Sequence, residues 1–443
     1  MQTRKLPRAW PVLAATAVLC LLAYWRALSL PLISDDYLQI QLGRDYGPMT
    51  HWRDLARDAL YRCRATSILI TYWTERLFSA TPLVLNVSSL LLHVLNTWLV
   101  LALGYWRIIG WRVAAVAACF FAVYQGHQEA VMWYAALPEL LVFLFTVASF
   151  LCWIAWLQKE QWREVWYAAG LALYILALLS KESGVVVGPL MAVAAIAHGR
   201  RLREWWWRTL PFAALALADF LTIYAARANH LHFQDGTFSL SAPFWIVVPV
   251  SVGRLLWIWG LISLCALFHW REHKWLRMLC VAAAWIVITL LPYSFLTYMP
   301  RVPSRHAYFA SVGLALLIAA GALSFRERFR ARPWAAATLA TVLLAHQCVT
   351  LWVRKHRQFL ERAAPTEQLA ELAGRHNGPL YLECFPYDGS IAVLVVKMAS
   401  GDRVQLTLDA REAQRMNATR INLCAPQRDA ARAASAGTTG GQL

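Results

Sequence analysis

The feature that leaves this chain the fewest choices is a series of about eleven apolar segments, at residues 11–28, 83–105, 113–124, 140–157, 166–179, 184–197, 211–225, 244–268, 279–295, 309–323 and 334–352. A helix rises about 1.5 Å per residue and a hydrocarbon core is about 30 Å thick, so roughly 20 apolar residues cross it. Within lipid each backbone N–H and C=O must find a partner inside its own segment, which makes such stretches helices. A chain that is 59% hydrophobic and 15% charged, with 23 Trp, belongs neither with disordered chains nor with ordinary soluble enzymes. The expected class is an α-helical polytopic membrane protein.

The loops carry the orientation. Arg4, Lys5 and Arg8 precede the first segment, and the positive-inside tendency then holds the N-terminus in the cytoplasm. Tyr24-Trp25-Arg26 is a poor cleavage site, so this segment is expected to remain as an uncleaved first span. Counting alternate loops from there places Arg107 and Arg112, Lys159 and Arg163, Arg200, Arg201, Arg203 and Arg208, Arg271, Lys274 and Arg277, and Arg326, Arg328, Arg330 and Arg332 on the cytoplasmic side. An odd number of spans puts the C-terminus outside. The net charge of +17 is thus a matter of topology, and no basic face or tail points to nucleic acid. Short loops and the lack of an obvious eukaryotic targeting signal point to a bacterial inner membrane.

The opposite loops are sparse and mixed in sign: Asp35 and Asp36, His127 and Glu129, Lys181 and Glu182, His230 and His232, then Arg301, Arg305 and His306. Polar groups collected on one side of a membrane protein suggest a site there. For Asp35-Asp36, one carboxylate can act as general base while its neighbour orients it or shifts its pKa; the plain alternative is a helix cap or a solvated acid. His127-Gln128-Glu129 and the following Trp133-Tyr134 suit sugar contacts or, equally, an aromatic belt, and their spacing matches no specific metal motif. Lys181-Glu182 is either a phosphate site or a structural ion pair. Arg305-His306 suits a phosphate or a snorkelling anchor.

Between the first two spans, residues 29–82 form the first large outer loop, with an amphipathic interfacial helix expected over 51–60. Beyond residue 352 the chain turns polar: a helical pattern over 354–374, then strand-like runs at 380–383, 391–398, 404–408 and 421–423. A small α/β domain over 353–427 fits, followed by a disordered Ala/Gly/Ser/Thr-rich tail over 428–443. Of nine Cys, only Cys63, Cys384 and Cys424 look water-accessible. Cys384 and Cys424 are either a disulfide outside the cytoplasm or two thiols.

Five pieces together resemble the GT-C superfamily of membrane glycosyltransferases, in the branch of the protein O-mannosyltransferases, the lipid A aminoarabinose transferases and the transmembrane TPR mannosyltransferases. They are Asp35-Asp36; Asn86 with Leu90-Leu91-Leu92-His93-Val94-Leu95-Asn96; His127-Gln128-Glu129-Ala130-Val131; Leu178-Leu179-Ser180-Lys181-Glu182; and Arg305 with Tyr308 and Ser311-Val312-Gly313. The resemblance covers roughly residues 10–355 and implies a transmembrane catalytic domain over 1–352. It implies a sugar donor carried on a polyprenyl phosphate and a hydroxyl acceptor on protein, lipid or glycan; no cofactor is expected, and the residues give a divalent metal no specific support. By the same resemblance Asp35 is the base, with Asp36 beside it; Lys181, Arg305 and His306 meet the donor phosphate; and His127, Glu129 and Glu182 position substrate. A transporter or flippase of lipid-linked sugars and a non-catalytic assembly protein are the rival expectations.

Overall fold

The structure, a computed structural model, describes residues 10–227, 238–239, 241–296 and 302–424. Arg4, Lys5, Arg8, His230, His232, Arg301 and the tail expected from 428 lie outside the described residues.

The first apolar segment is helix α1 (Trp10–Tyr24), prolonged by a 3-10 turn over Trp25–Ser29, and it ends where Leu30 becomes extended ahead of Pro31. The outer loop that follows is mostly helical: α2 (Asp35–Tyr46), α3 (Trp52–Arg57) and α4 (Ala65–Phe78). The amphipathic helix expected over 51–60 shrinks to the six residues of α3. Asp58 ends it, because its carboxylate accepts the N–H groups of Leu60 and Tyr61 and so offers the backbone a turn instead.

The remaining segments are α5 (Pro82–Ala102), α6 (Gly110–Val123), a short α7 (Gln128–Met132), α8 (Leu137–Gln158), α9 (Arg163–Leu178), α10 (Val187–Ala197) and α11 (Leu202–Ala225). The segment at 244–268 breaks into α12 (Phe244–Leu256) and α13 (Trp259–His269), bent by 84°. The break lies just past Arg254, at Ile258 with φ 61°. Next come α14 (Leu276–Leu290), α15 (Ser311–Arg328) and α16 (Pro333–Val349).

All eleven expected segments are therefore helical. Among the described residues, six helical runs are long and apolar enough to cross a membrane, or seven if the bent pair is one span. The shorter α6, α9 and α10, and α15 with its charged last turn, fall below that test. Of these, α6 and α15 occupy the middle of the bundle, where neighbouring helices rather than lipid cover them. Close packing there needs Gly313, since a Cβ would lie 2.5 Å from the Ala282 carbonyl oxygen of α14. The outer helices α1, α11 and α16 leave Val18, Leu21, Leu217, Leu221, Trp334 and Val342 exposed, as a lipid-facing surface requires.

Helix α16 does not stop at the membrane. It passes through a π turn at Thr350–Lys355 into α17 (His356–Arg375), a continuous helical run of 43 residues. Then come β1 (Leu380–Cys384), α18 (Gly389–Ser400), β2 (Leu406–Thr407), α19 (Ala410–Met416) and β3 (Thr419–Asn422). The strands form a parallel sheet in the order β2-β1-β3, with Leu380 opposite both Leu406 and Thr419.

The strand expected at 391–398 is a helix. An unbroken apolar run does not distinguish the two, and here the ends decide. The Asp388 side chain accepts the Ser390 N–H at the start, and Gly401 takes the left-handed conformation that closes the helix. Cys384 and Cys424 form a disulfide, 40 residues apart, that fastens β1 to the end of β3. Cys63, expected at the surface, is buried. Breaking the disulfide by Cys424→Ser is expected to cost the sheet region about 3 kcal/mol, read as a lower thermal midpoint and faster proteolysis after residue 375 while the membrane helices stay resistant.

Candidate active site

A cavity of about 490 Å³ opens at one end of the bundle, where α1, α9 and α11 finish and α8 begins. Of the residues expected from sequence, it gathers Asp35, Lys181, Glu182, Arg305 and His306. Arg64, Trp133, Glu139, Asp219 and Tyr293 line it as well. Asp36, His127 and Glu129 do not face it.

Glu139, in the first turn of α8, is the hub. Its carboxylate is buried and takes the Lys181 ammonium, the His306 Nδ1 at 2.5 Å and the Tyr293 hydroxyl at 2.9 Å. The His306 and Tyr293 rings stack at 4.3 Å, and Lys181 lies 5.2 Å over the Tyr293 ring. Lys181 reaches this point because α9 ends at Leu178 and the chain doubles back into a 3-10 turn over Glu182–Val186. That turn packs on α9 so closely that a Cβ on Gly184 would meet Ala177 at 3.1 Å. The structural ion pair and the cavity-lining ammonium, alternatives in the sequence, are the same residue.

The two acids of the outer loop part company. Asp35 faces the cavity, with the Ser34 hydroxyl donating to it at 3.0 Å. Asp36 is buried, and its two oxygens accept the Ile33 N–H at 2.8 Å and the Ala135 N–H at 2.7 Å. It therefore clamps the loop onto the start of α8. Burial pushes the Asp36 carboxyl up to about 7, against the lowering effect of those two N–H groups.

The loop between α3 and α4 closes a second wall. Thr66 donates its N–H to Leu179 O at 3.1 Å and its hydroxyl to Ser180 at 2.7 Å. This docking brings Arg64 to the cavity within the electrostatic reach of Glu182, whose carboxylate accepts the Cys63 thiol at 3.3 Å. Glu129 accepts the Arg305 N–H at 3.1 Å, so it holds the turn that presents Arg305. His127 is buried among Phe121, Tyr124 and Tyr308, with Nε2 2.7 Å from the Ser311 hydroxyl. Among the described residues no three His, Cys, Asp or Glu side chains converge to hold a metal ion.

Glu139, Asp219, Arg64 and Tyr293 were missed in the sequence. A signal existed for the first two, since Asp219 is a carboxylate inside an apolar segment and Glu139 stands one residue before another, and such residues mark sites by default. Arg64 sits in an outer loop rich in arginines, and nothing in that pattern separates it from Arg57 or Arg62.

At the far end of the bundle the basic loops meet. Gln158, at the end of α8, donates to Tyr105 O and accepts from the Arg107 N–H; Lys159 lies over Tyr105 and Trp166, and Arg200 donates to Leu157 O. The 22 residues of α8 separate this end from the cavity by about 33 Å.

No family model and no curated protein matches the sequence. Solved structures do match the fold. ArnT from Cupriavidus metallidurans bound to undecaprenyl phosphate superposes with a TM-score of 0.56 at 12% identity, over 94% of this chain and 90% of that one. The chain has the GT-C fold. The Archaeoglobus fulgidus oligosaccharyltransferase AglB, in complex with an inhibitory peptide and a dolichol-phosphate, superposes with a TM-score of 0.56 at 11% identity. There 89% of this chain spans 64% of the larger protein. At such identities it is the arrangement of GT-C helices that is shared.

Two outcomes follow from the geometry. Glu139→Gln strands a buried ammonium and is expected to cost about 3–5 kcal/mol, seen in thermal unfolding, whereas adding Lys181→Met to Glu139→Gln removes the stranded charge and recovers part of it. For Asp36, a folded-state carboxyl at about 7 exceeds its unfolded value, so the folded chain binds the extra proton. Its contribution is full below the unfolded pKa and is lost as pH rises through 7. Thermal midpoints should fall between pH 5 and pH 8, and Asp36→Asn should flatten that slope.

Proposed function

We propose that this protein is a membrane glycosyltransferase that moves a sugar from a polyprenyl-phosphate donor to a hydroxyl acceptor on the extracytoplasmic face. The observation that carries the proposal is the cavity itself, in which a carboxylate from the first outer loop shares one space with cations from two distant segments, Lys181 and Arg305. The undecaprenyl phosphate and dolichol-phosphate bound by the similar structures fit the donor class.

In this reading Asp35 takes the proton of the acceptor hydroxyl as its oxygen attacks the anomeric carbon. The bond from that carbon to the phosphate oxygen breaks, and the polyprenyl phosphate leaves with the electron pair. Arg305 and Arg64, with Lys181 balanced by Glu139, meet the charge that develops on the leaving phosphate, where a dry site strengthens such contacts. Glu182 and His306 line the space for sugar and phosphate. Asp36 and Glu129 act from behind it, by fixing the segments that carry Asp35 and Arg305.

Two observations support the orientation. The basic loops collect at the end remote from the cavity, as the positive-inside tendency requires of a cytoplasmic face. The Cys384–Cys424 disulfide lies with the sheet beyond α17, and such bonds persist outside the reducing cytoplasm. We place the N-terminus in the cytoplasm, the small α/β region over 353–427 outside it, and the whole in a bacterial inner membrane.

Asp35→Asn is expected to lower transfer from a radiolabelled polyprenyl-phosphate sugar by about 10²–10⁴-fold while binding of polyprenyl phosphate and the thermal midpoint stay as in the parent. Undiminished transfer by that variant would remove Asp35 from the role.

A further inference from the structure

Helix α17, the continuation of α16 beyond the bundle, stands against the cavity wall. Residues 352–356 run beside the exit of α1: Arg26 donates to Trp352 O at 2.9 Å, and Trp352 Nε1 to Leu22 O at 3.0 Å. One helical face then carries Phe359, Arg362, Ala363 and Thr366, at the spacing that keeps side chains in register. Thr366 donates to Leu32 O at 3.1 Å, three residues before Asp35.

One turn earlier on that face, the Arg362 guanidinium lies 4.7 Å over the Trp133 ring and 4.0 Å from Glu129. The Arg305 guanidinium lies over the same ring, at 5.1 Å. Trp133 lines the cavity and reaches Ile33 O through its ring N–H at 3.4 Å. Glu129 is the residue that accepts the Arg305 N–H. Two arginines therefore meet at one indole ring and one carboxylate: Arg305 from the membrane bundle, which reaches Glu129 through its backbone N–H, and Arg362 from α17, which reaches it through its guanidinium. The Arg362 carbonyl in turn accepts the Tyr387 hydroxyl, which ties this turn of α17 to the region after β1.

We infer that Arg362 is a positioning residue for the donor-phosphate site: by engaging Glu129 and the Trp133 ring it leaves the Arg305 guanidinium free for the phosphate, so α17 supports the cavity wall from behind. Without Arg362, Glu129 has one cation left near it and draws the Arg305 side chain, and Trp133 loses one of its two partners. Arg305 is then pulled toward protein rather than ligand. The effect of Arg362 must act through Arg305, which separates it from a simple loss of packing. The inference rests on the cavity being a polyprenyl-phosphate site.

The test is a double-mutant cycle on the full chain in lipid nanodiscs, with a fluorescent short-chain polyprenyl phosphate as probe and thermal midpoints measured in parallel. Arg362→Ala is expected to weaken binding about tenfold, Arg362→Lys to restore most of it, and Arg362→Ala with Arg305→Ala to bind no worse than Arg305→Ala alone. Wild-type affinity in Arg362→Ala, or losses that multiply in the double variant, would overturn the inference and leave the cavity reading intact. Wild-type affinity in Arg305→Ala would overturn the cavity reading itself. If Arg362→Ala fails to fold, Arg362→Lys decides: its affinity must lie between those of the parent and Arg305→Ala, and equality with Arg305→Ala at an unchanged midpoint counts against the inference.

Discussion

A buried carboxylate inside a membrane protein must be satisfied or it will not stay charged, and Glu139 is satisfied by groups that come from three remote parts of the chain. Lys181 arrives from the reversal after α9, His306 from the turn before α15, and Tyr293 from the end of α14. Each of these segments on its own is a short irregular piece of backbone. Drawn onto one acid, they become the floor of the cavity. The same arrangement sets the electrostatics, because the deepest cation is already balanced and an incoming phosphate meets an ammonium whose charge is shared.

The outer loop solves a related problem by dividing labour between neighbours. Two adjacent carboxylates in one cavity would repel one another. Here the second is turned away and tied to backbone N–H groups of Ile33 and Ala135, so of the pair only the first faces the cavity. The turn that achieves this is costly: Ser34 sits at φ 43° and ψ −108°, a conformation that L-residues avoid and that tends to persist where the surroundings over-determine it. The Thr366, Trp133 and Asp36 contacts on the preceding residues are those surroundings.

The helical class, the place of the acid pair and the common side of Lys181 and Arg305 were legible because they depend on long apolar runs and on charge placement, both local properties. The inner wall was not. Glu139 reads as part of an apolar helix, and only its partners, 42 and 167 residues away, give it meaning. The continuous hydrophobicity of residues 391–398 suits a strand as well as a helix, and a capping Asp388 and a Gly401 outside the run decide for the helix. Asp36, His127 and Glu129 were recognised as special but not as supports, since sequence order does not show which way a side chain points. Glu129 holds the site through the backbone of a residue 176 positions on and pairs with Arg362, further still along the chain.

The helix that runs unbroken from Pro333 to Arg375 has mechanical meaning. At about 1.5 Å per residue it is roughly 65 Å long, twice the thickness of the hydrocarbon layer. Its lower half is set by lipid, and its upper half grips Leu32, next to the residue proposed as base. Bilayers differ in thickness, and a spanning helix answers a thinner one by tilting. A helix that tilts about its membrane anchor moves its far end most, which couples the geometry around Asp35 to the lipid in which the protein is embedded.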